Sequence, residues 1–147
     1  MRPSNAKDPR EGASLLKGVQ VLVVEDTWHV AKALKSALAE MGMVVAGPAA
    51  TTAEAERLVA EQQPDLAVVD VNLKGEMAYG LIDRLHDRGV RVIIVTGYAV
   101  LPKSTEKAAA ILQKPFSGAE LRTTLHQVMQ GSELHSDMQP GDRRKST

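Results

Sequence analysis

Cysteine is absent from the 147 residues, which excludes disulfides, thiol catalysis and thiolate metal sites. Aromatic residues are scarce: one tryptophan, two tyrosines and one phenylalanine are too few for the stacking platforms that bind single-stranded nucleic acid. An excess of either charge is also lacking, because 18 lysines and arginines balance 18 aspartates and glutamates. A formal net charge of zero argues against nucleic acid or an anionic membrane as a partner.

Long apolar runs are missing as well. No run approaches the roughly 20 residues of a membrane-spanning helix, and the first residues are polar, unlike a signal peptide. The sequence therefore predicts a cytoplasmic protein. With 44% hydrophobic and 24% charged residues, the composition is that of an ordinary soluble protein with one domain and its own core.

The two ends of the chain differ from its middle. Residues 1–17 and 132–147 are polar and without hydrophobic periodicity, a pattern that predicts a flexible segment at each end. The cluster Arg143-Arg144-Lys145 is too short to indicate nucleic-acid binding, and we interpret it as part of a solvated tail. We expect one folded domain over 18–131 and no second domain, because too little sequence follows its last helix.

Between these ends, β-branched or apolar runs alternate with helical periodicity. Strands are predicted at 19–24, 43–46, 66–69, 90–95 and 110–112, and helices at 27–41, from 51, at 77–88, briefly within 99–109, and from 117. The patterns Thr51-x-x-Glu54 and Ser117-x-x-Glu120 are typical of capping boxes at helix starts. The alternation predicts an α/β fold, a doubly wound five-stranded parallel sheet of order 2-1-3-4-5 with flavodoxin-like topology.

Polar side chains follow four of the predicted strands. Glu25 and Asp26 end the first strand, Asp70 the third, Thr96 the fourth, and Lys114 the fifth. In the predicted order these strands are neighbours, and ligands bind parallel sheets at the carboxyl ends of the strands. We therefore expect three carboxylates, a hydroxyl and an ammonium to converge in one crevice.

The residue types indicate the chemistry of that crevice. Three clustered carboxylates repel one another unless a cation lies among them, and hard oxygen ligands without cysteine or paired histidines favour Mg²⁺. A carboxylate beside Mg²⁺ can attack a phosphoryl group and form an acyl phosphate, with Lys114 and Thr96 holding the phosphoryl oxygens. The alternative is a structural salt-bridge network, which we favour for any one residue but not for the whole set.

The chain resembles the receiver domain of two-component response regulators across residues 18–131. The acidic pair Glu25-Asp26, Asp70 after the third strand, Thr96 after the fourth and Lys114-Pro115-Phe116 after the fifth are present in order. Together these motifs are highly specific for that family. The resemblance implies a phosphoacceptor protein, not an enzyme that turns over substrates.

The resemblance also implies a role for each residue. Asp70 would accept a phosphoryl group from the phosphohistidine of a kinase, and Thr96 and Lys114 would bind that group. Asp26 would ligate Mg²⁺ directly, Glu25 mainly through water, Asp70 as a second carboxylate, and Asn72 through its backbone carbonyl. The implied partner is a sensor histidine kinase or a phosphotransfer protein.

Two positions depart from the family pattern. Lys74 stands where most receivers carry proline, and Ile111 stands where they carry an aromatic switch residue. The stretches 72–76 and 95–98 instead resemble a single-domain alphaproteobacterial group with a Phe-Ala-Thr-Gly-Tyr motif, whose members work with kinases of the HWE/HisKA2 type. With no aromatic at 111, we expect phosphorylation to order or redock residues 97–109.

Three other functions compete with this interpretation. A phosphatase of the haloacid-dehalogenase type needs Asp-x-Asp, but Asn72 replaces its general acid. A dinucleotide-binding module needs Gly-x-Gly-x-x-Gly after the first strand, and Glu25-Asp26-Thr27-Trp28 excludes it. An adaptor that is never phosphorylated remains as the third. We favour a single-domain response regulator that acts by protein contact or as a phosphoryl sink.

Overall fold

The computed structural model describes residues 15–97 and 106–138, with side chains up to residue 131. The strands are β1 (Gln20–Val24), β2 (Val44–Ala49), β3 (Leu66–Asp70), β4 (Asn72–Leu73), β5 (Glu76–Met77), β6 (Arg91–Thr96) and β7 (Ala110–Gln113). The helices are α1 (Trp28–Glu40), α2 (Thr52–Gln62), α3 (Tyr79–Asp87) and α4 (Gly118–Met138).

The main sheet has five parallel strands in the order β2-β1-β3-β6-β7. This confirms the predicted flavodoxin-like order 2-1-3-4-5, because β6 and β7 are its fourth and fifth strands. Both faces are covered, so side chains alternate between two cores: Leu22 and Val24 pack on one face, and Val21 and Val23 on the other. All four are fully buried, which explains why the run is apolar throughout.

The two predicted capping boxes start α2 and α4. The Thr51 hydroxyl accepts from the Glu54 amide at 3.1 Å. The Ser117 hydroxyl accepts from the Glu120 amide at 3.0 Å, and the Glu120 carboxylate accepts from the Ser117 amide at 2.8 Å. Each contact satisfies an amide that the first helical turn leaves without a partner.

Strand β2 is longer than the sequence predicts, because it runs through Gly47 and Pro48 to Ala49. Proline is tolerated there because β2 is an edge strand of the main sheet. Gly47 has φ +94°, and a Cβ at this position would lie 2.8 Å from the carbonyl oxygen of Val23. Glycine is therefore required by both backbone conformation and space.

A small β-hairpin between β3 and α3 was not predicted. Asn72 pairs with Met77 and Leu73 with Glu76, so the helix predicted from residue 77 begins only at Tyr79. The turn consists of Lys74 at φ +48° and Gly75 at φ +86°, the left-handed conformations of tight hairpin turns. This hairpin lies directly after the strand that ends in Asp70.

Two described features lie outside the predicted domain of 18–131. Leu16 is buried in the core, and α4 runs to Met138, two residues before Pro140. The remaining parts of the predicted end segments, and most of the predicted short helix within 99–109, lie outside the described residues. Within the described ranges, no helix is long and apolar enough to cross a membrane.

Candidate functional site

The main-chain pairing of the sheet brings the predicted polar residues to one edge. Lys114 donates its amide to the carbonyl of Thr96 at 2.7 Å, which fixes the end of β7 beside the end of β6. The Glu25 amide bonds to the Ala49 carbonyl at 2.9 Å, which fixes the residue after β1 against β2. The parallel register therefore places these side chains at neighbouring strand ends, as predicted.

Lys114 joins two of the carboxylates. Its Nζ lies 3.3 Å from Glu25 Oε1 and 3.3 Å from Asp70 Oδ2. The Glu25 side chain is 2% exposed and that of Asp70 is 9% exposed, whereas that of Lys114 is 30% exposed. The ammonium thus lies at the mouth of the site, above two nearly buried acids.

Backbone amides hold both acids in place. The Thr27 amide donates to Glu25 Oε2 at 3.2 Å, and the Asn72 amide donates to Asp70 Oδ1 at 3.1 Å. Asp70 therefore has one oxygen on the hairpin backbone and one on Lys114. A carboxylate with both oxygens fixed keeps one orientation toward an incoming group.

Burial and neighbouring charges shift the pKa values of Glu25 and Lys114. Burial raises the pKa of Glu25 above its ordinary value, and the neighbouring charge of Asp70 raises it further. Burial lowers the pKa of Lys114, but the charges of Asp70 and Glu25 outweigh this effect, so its pKa is raised overall. One ammonium therefore does not fully compensate the crowded carboxylates.

Glu25, Asp26 and Asp70 meet the requirements of a metal site. Each offers a carboxylate oxygen, and these oxygens lie within 4.8 Å of one another. Oδ2 of Asp26 is buried and has no hydrogen-bond partner among the described residues. A buried carboxylate oxygen without a partner is costly, and a hard divalent cation would satisfy it. The donor set therefore fits Mg²⁺.

Thr96 and Asn72 complete the predicted set. Thr96 is the last residue of β6 and is 1% exposed, so it lies at the base of the strand edge. Asn72 is the first residue of the hairpin and lines the cleft that Asp70 faces. Thr96 lies on the strand adjacent to Asp70, in the ladder that pairs Asp70 with Val95.

An open cleft of about 450 Å³ contains the site. Its walls come from the strand ends of the sheet and from the hairpin, and its lining residues are Asp26, Thr27, Asp70, Asn72, Lys74, Gly75, Gly97 and Lys114. The cleft is mainly polar and open to solvent, which suits a small, charged and hydrated reacting group.

Sequence reasoning missed the hairpin wall and misplaced one aromatic residue. Lys74 and Gly75 line the cleft, and the local indication of a turn was the Lys-Gly pair itself, which follows Leu73 and precedes Glu76. The place of Trp28 just after the acidic pair predicts a half-buried packing residue at the rim of the site, but Trp28 is 72% exposed, with the Lys32 ammonium 5.0 Å from its ring centre. Its position on the first turn of α1 fits either environment. Tyr98 lies outside the described residues.

The arrangement suits acceptance of a group better than turnover. Asp70 is a carboxylate flanked by an ammonium and two further acids, and a carboxylate in such a setting can act as a nucleophile. Asn72, which occupies the general-acid position of an Asp-x-Asp phosphatase, cannot protonate a leaving group.

Comparison with known proteins identifies the family. The family model of the response regulator receiver domain matches residues 21–126 of this chain. The transcriptional regulatory protein DesR of Bacillus subtilis (strain 168) is 27% identical over 124 residues, which are 80% of this chain and 62% of DesR. The chain thus spans about three fifths of the length of this curated relative.

Solved structures share the fold. The response regulator PhyR from Brucella abortus superposes with a TM-score of 0.75 at 22% identity, over 86% of this chain and 54% of PhyR. A CheY-like response regulator receiver domain protein from Methanospirillum hungatei JF-1 gives a TM-score of 0.69 at 25% identity, over 81% of this chain and 99% of that protein.

Proposed function

This chain belongs to the response regulator receiver domain family, and we propose that it accepts a phosphoryl group from a histidine kinase on Asp70. The observation that supports this most directly is the geometry around Asp70. Its Oδ2 is 3.3 Å from Lys114 Nζ, its Oδ1 is held by the Asn72 amide, and two further acids lie beside it. A fixed nucleophile beside a cation is what phosphoryl acceptance needs.

Mg²⁺ is the proposed cofactor. Glu25, Asp26, Asp70 and the backbone carbonyl of Asn72 would hold it, and the unpartnered oxygen of Asp26 supports this assignment. When bound, the metal supplies neutralisation of charge on the phosphoryl oxygens. Burial raises the pKa of Glu25 and the charge of Asp70 raises it further, and a bound cation would counter both effects.

The proposed transfer conserves atoms and charge. A carboxylate oxygen of Asp70 forms a bond to phosphorus while the bond between phosphorus and the donor nitrogen breaks. The electron pair stays on the imidazole of the donor, which takes a proton from solvent. Lys114 and the Thr96 hydroxyl bind the phosphoryl oxygens, and the absence of a general acid at Asn72 keeps the product from being turned over as in a phosphatase.

The proposed partners follow from this role. Receiver domains interact with histidine kinases and phosphotransfer proteins, and we extend this to a sensor histidine kinase of the HWE/HisKA2 type, suggested by the motif at residues 95–98, or a phosphotransfer protein, with this chain in the cytoplasm. We further propose that the chain works as a single-domain response regulator. Its output is then either contact with another protein or removal of phosphoryl groups from a shared kinase.

Labelling by a small phosphodonor tests the proposal. With Mg²⁺ and acetyl phosphate, the chain should gain one acid-stable, base-labile phosphoryl group, measured by intact mass. Asp70→Asn should abolish it. Asp83→Asn, which removes an exposed carboxylate on α3, should leave it unchanged and serves as the control. Labelling that persists in Asp70→Asn, or that maps to His29, a histidine on the first turn of α1 just after the acidic pair, would contradict the assignment.

A further inference from the structure

The hairpin wall of the cleft carries a lysine that the family pattern does not contain. Lys74 lines the cleft together with Asp70 and Lys114. Among the residues that the structure describes, Lys114 bonds to two carboxylates, whereas no ion pair involves Lys74. We propose that Lys74 is a second cation of the site, which attracts and holds the dianionic phosphoryl group of the donor and of phosphorylated Asp70. This inference rests on the proposed function.

The hairpin fixes the place of Lys74 relative to the nucleophile. The Asn72 amide bonds to Asp70 Oδ1 at 3.1 Å, so the hairpin starts on the reacting side chain itself. Leu73 is buried in the core, and the Thr52 hydroxyl donates to Glu76 Oε2 at 2.6 Å, which ties the second hairpin strand to α2. These contacts hold the turn that carries Lys74 at the wall of the cleft that Asp70 also lines.

The backbone at this turn explains why proline is absent. Lys74 has φ +48°, and the proline ring fixes φ near −65°. The chain thus has a turn of different geometry at the position where most receivers carry proline. The residue in this turn is long and charged, although glycine or asparagine is the usual choice for a left-handed conformation.

The balance of charges in the cleft indicates what Lys74 would do. A divalent cation and Lys114 together neutralise the three carboxylates Glu25, Asp26 and Asp70. When Asp70 carries an acyl phosphate, its single negative charge becomes about two. One negative charge is then uncompensated, and Lys74 supplies the cation on the open side of the cleft.

Three variants separate the charge of Lys74 from its backbone conformation. Lys74→Asn removes the charge and tolerates the left-handed turn, and Lys74→Arg keeps the charge. Lys35→Gln, at an exposed position of α1, removes one positive charge away from the cleft and is the control. The rate of Asp70 labelling by acetyl phosphate at saturating Mg²⁺ is measured at low and at high ionic strength.

At low ionic strength, labelling of Lys74→Asn should be about fivefold slower than that of the wild type, and the difference should vanish near 1 M salt. Lys74→Arg and Lys35→Gln should both match the wild type. An unchanged rate in Lys74→Asn, or a deficit that is the same at both salt concentrations, would overturn the inference. So would a deficit in Lys74→Arg, since that would indicate conformation and not charge.

A second measurement is independent of chemistry on Asp70. Inorganic phosphate is titrated into the Mg²⁺-loaded protein, and the amide resonances of Gly75 and Gly97, two cleft residues, are followed by NMR. Phosphate should shift them in the wild type and several-fold less in Lys74→Asn. Equal shifts refute the role of Lys74 whether or not Asp70 is labelled. Lysine-dependent shifts without labelling would instead refute the proposed function alone.

Discussion

Replacement of Lys114 by methionine tests whether the site is held by electrostatics. The ammonium is 3.3 Å from both Glu25 and Asp70, and each such pair has a gross Coulomb energy of about 5 kcal/mol at an effective dielectric constant of about 20. Desolvation of the ammonium and its 30% exposure offset most of this. We expect Lys114→Met to lose about 2 kcal/mol of unfolding free energy without metal, or roughly 8 °C in Tm.

Mg²⁺ should rescue most of that loss. A divalent cation among the carboxylates replaces the missing charge, and the more strongly repelling acids of the variant gain more from it. Urea denaturation at pH 7.5, in EDTA and in excess Mg²⁺, measures both states. Lys107→Met is the control, because its ion pair with Asp83 at 3.6 Å is exposed and should contribute less than about 1 kcal/mol. An equal loss in EDTA and in Mg²⁺ would show that Lys114 acts by packing.

The pH dependence of the same variant has a definite sign. The pKa of Glu25 in the folded state is raised above its ordinary value of 4.5, by burial and by Asp70, and the charge of Lys114 counteracts this. Folding therefore favours protonated Glu25, and stability falls as pH rises from 4.5 through the folded pKa. In EDTA, the deficit of Lys114→Met should be smallest below that range and largest at neutral pH. A deficit that does not change with pH would refute the electrostatic explanation.

Two further predictions test the metal site and the edge strand. Asp26→Asn should abolish the change in Trp28 fluorescence on Mg²⁺ titration, because Asp26 supplies a ligand oxygen two residues away; an unchanged titration would remove Asp26 from the site. Gly47→Ala should cost more than about 1 kcal/mol of unfolding free energy, measured by urea denaturation, because its Cβ would lie 2.8 Å from the Val23 carbonyl oxygen at a positive φ; a neutral result would show that β2 relaxes there.

The sheet and the convergence of the site could be predicted because each depends on a local pattern and on one topological rule. Buried parallel strands are apolar throughout, so their ends are visible where a charged residue follows, as at Asp70. Once strand order is inferred, neighbouring strand ends must meet. The side chains of Lys114 and Glu25 therefore come together although 88 residues separate them in sequence.

The features that were missed depend on contacts that no local pattern records. The hairpin at Lys74 needs two consecutive left-handed residues, and a Lys-Gly pair is a weak indication of them. Strand β2 continues through Gly47 and Pro48, a pair that usually marks a turn, and the local sequence does not show whether such a pair ends an edge strand or lies within it. The exposure of Trp28 likewise depends on which face of α1 lies against the sheet at its first turn.

The site differs from the rest of the described fold in the polarity of its buried side chains. Elsewhere among the described residues, fully buried side chains are apolar, whereas the site buries Glu25, Asp70 and Thr96 beside an unsatisfied oxygen of Asp26. Such an arrangement lowers the stability of the metal-free protein, and folded proteins tolerate it mainly where a ligand or a reaction requires it. Lys114 compensates only part of the repulsion between the carboxylates of the site. The remaining repulsion favours the binding of a further cation. The same imbalance explains why a cation such as Mg²⁺, and then Lys74, would be needed as negative charge on Asp70 increases.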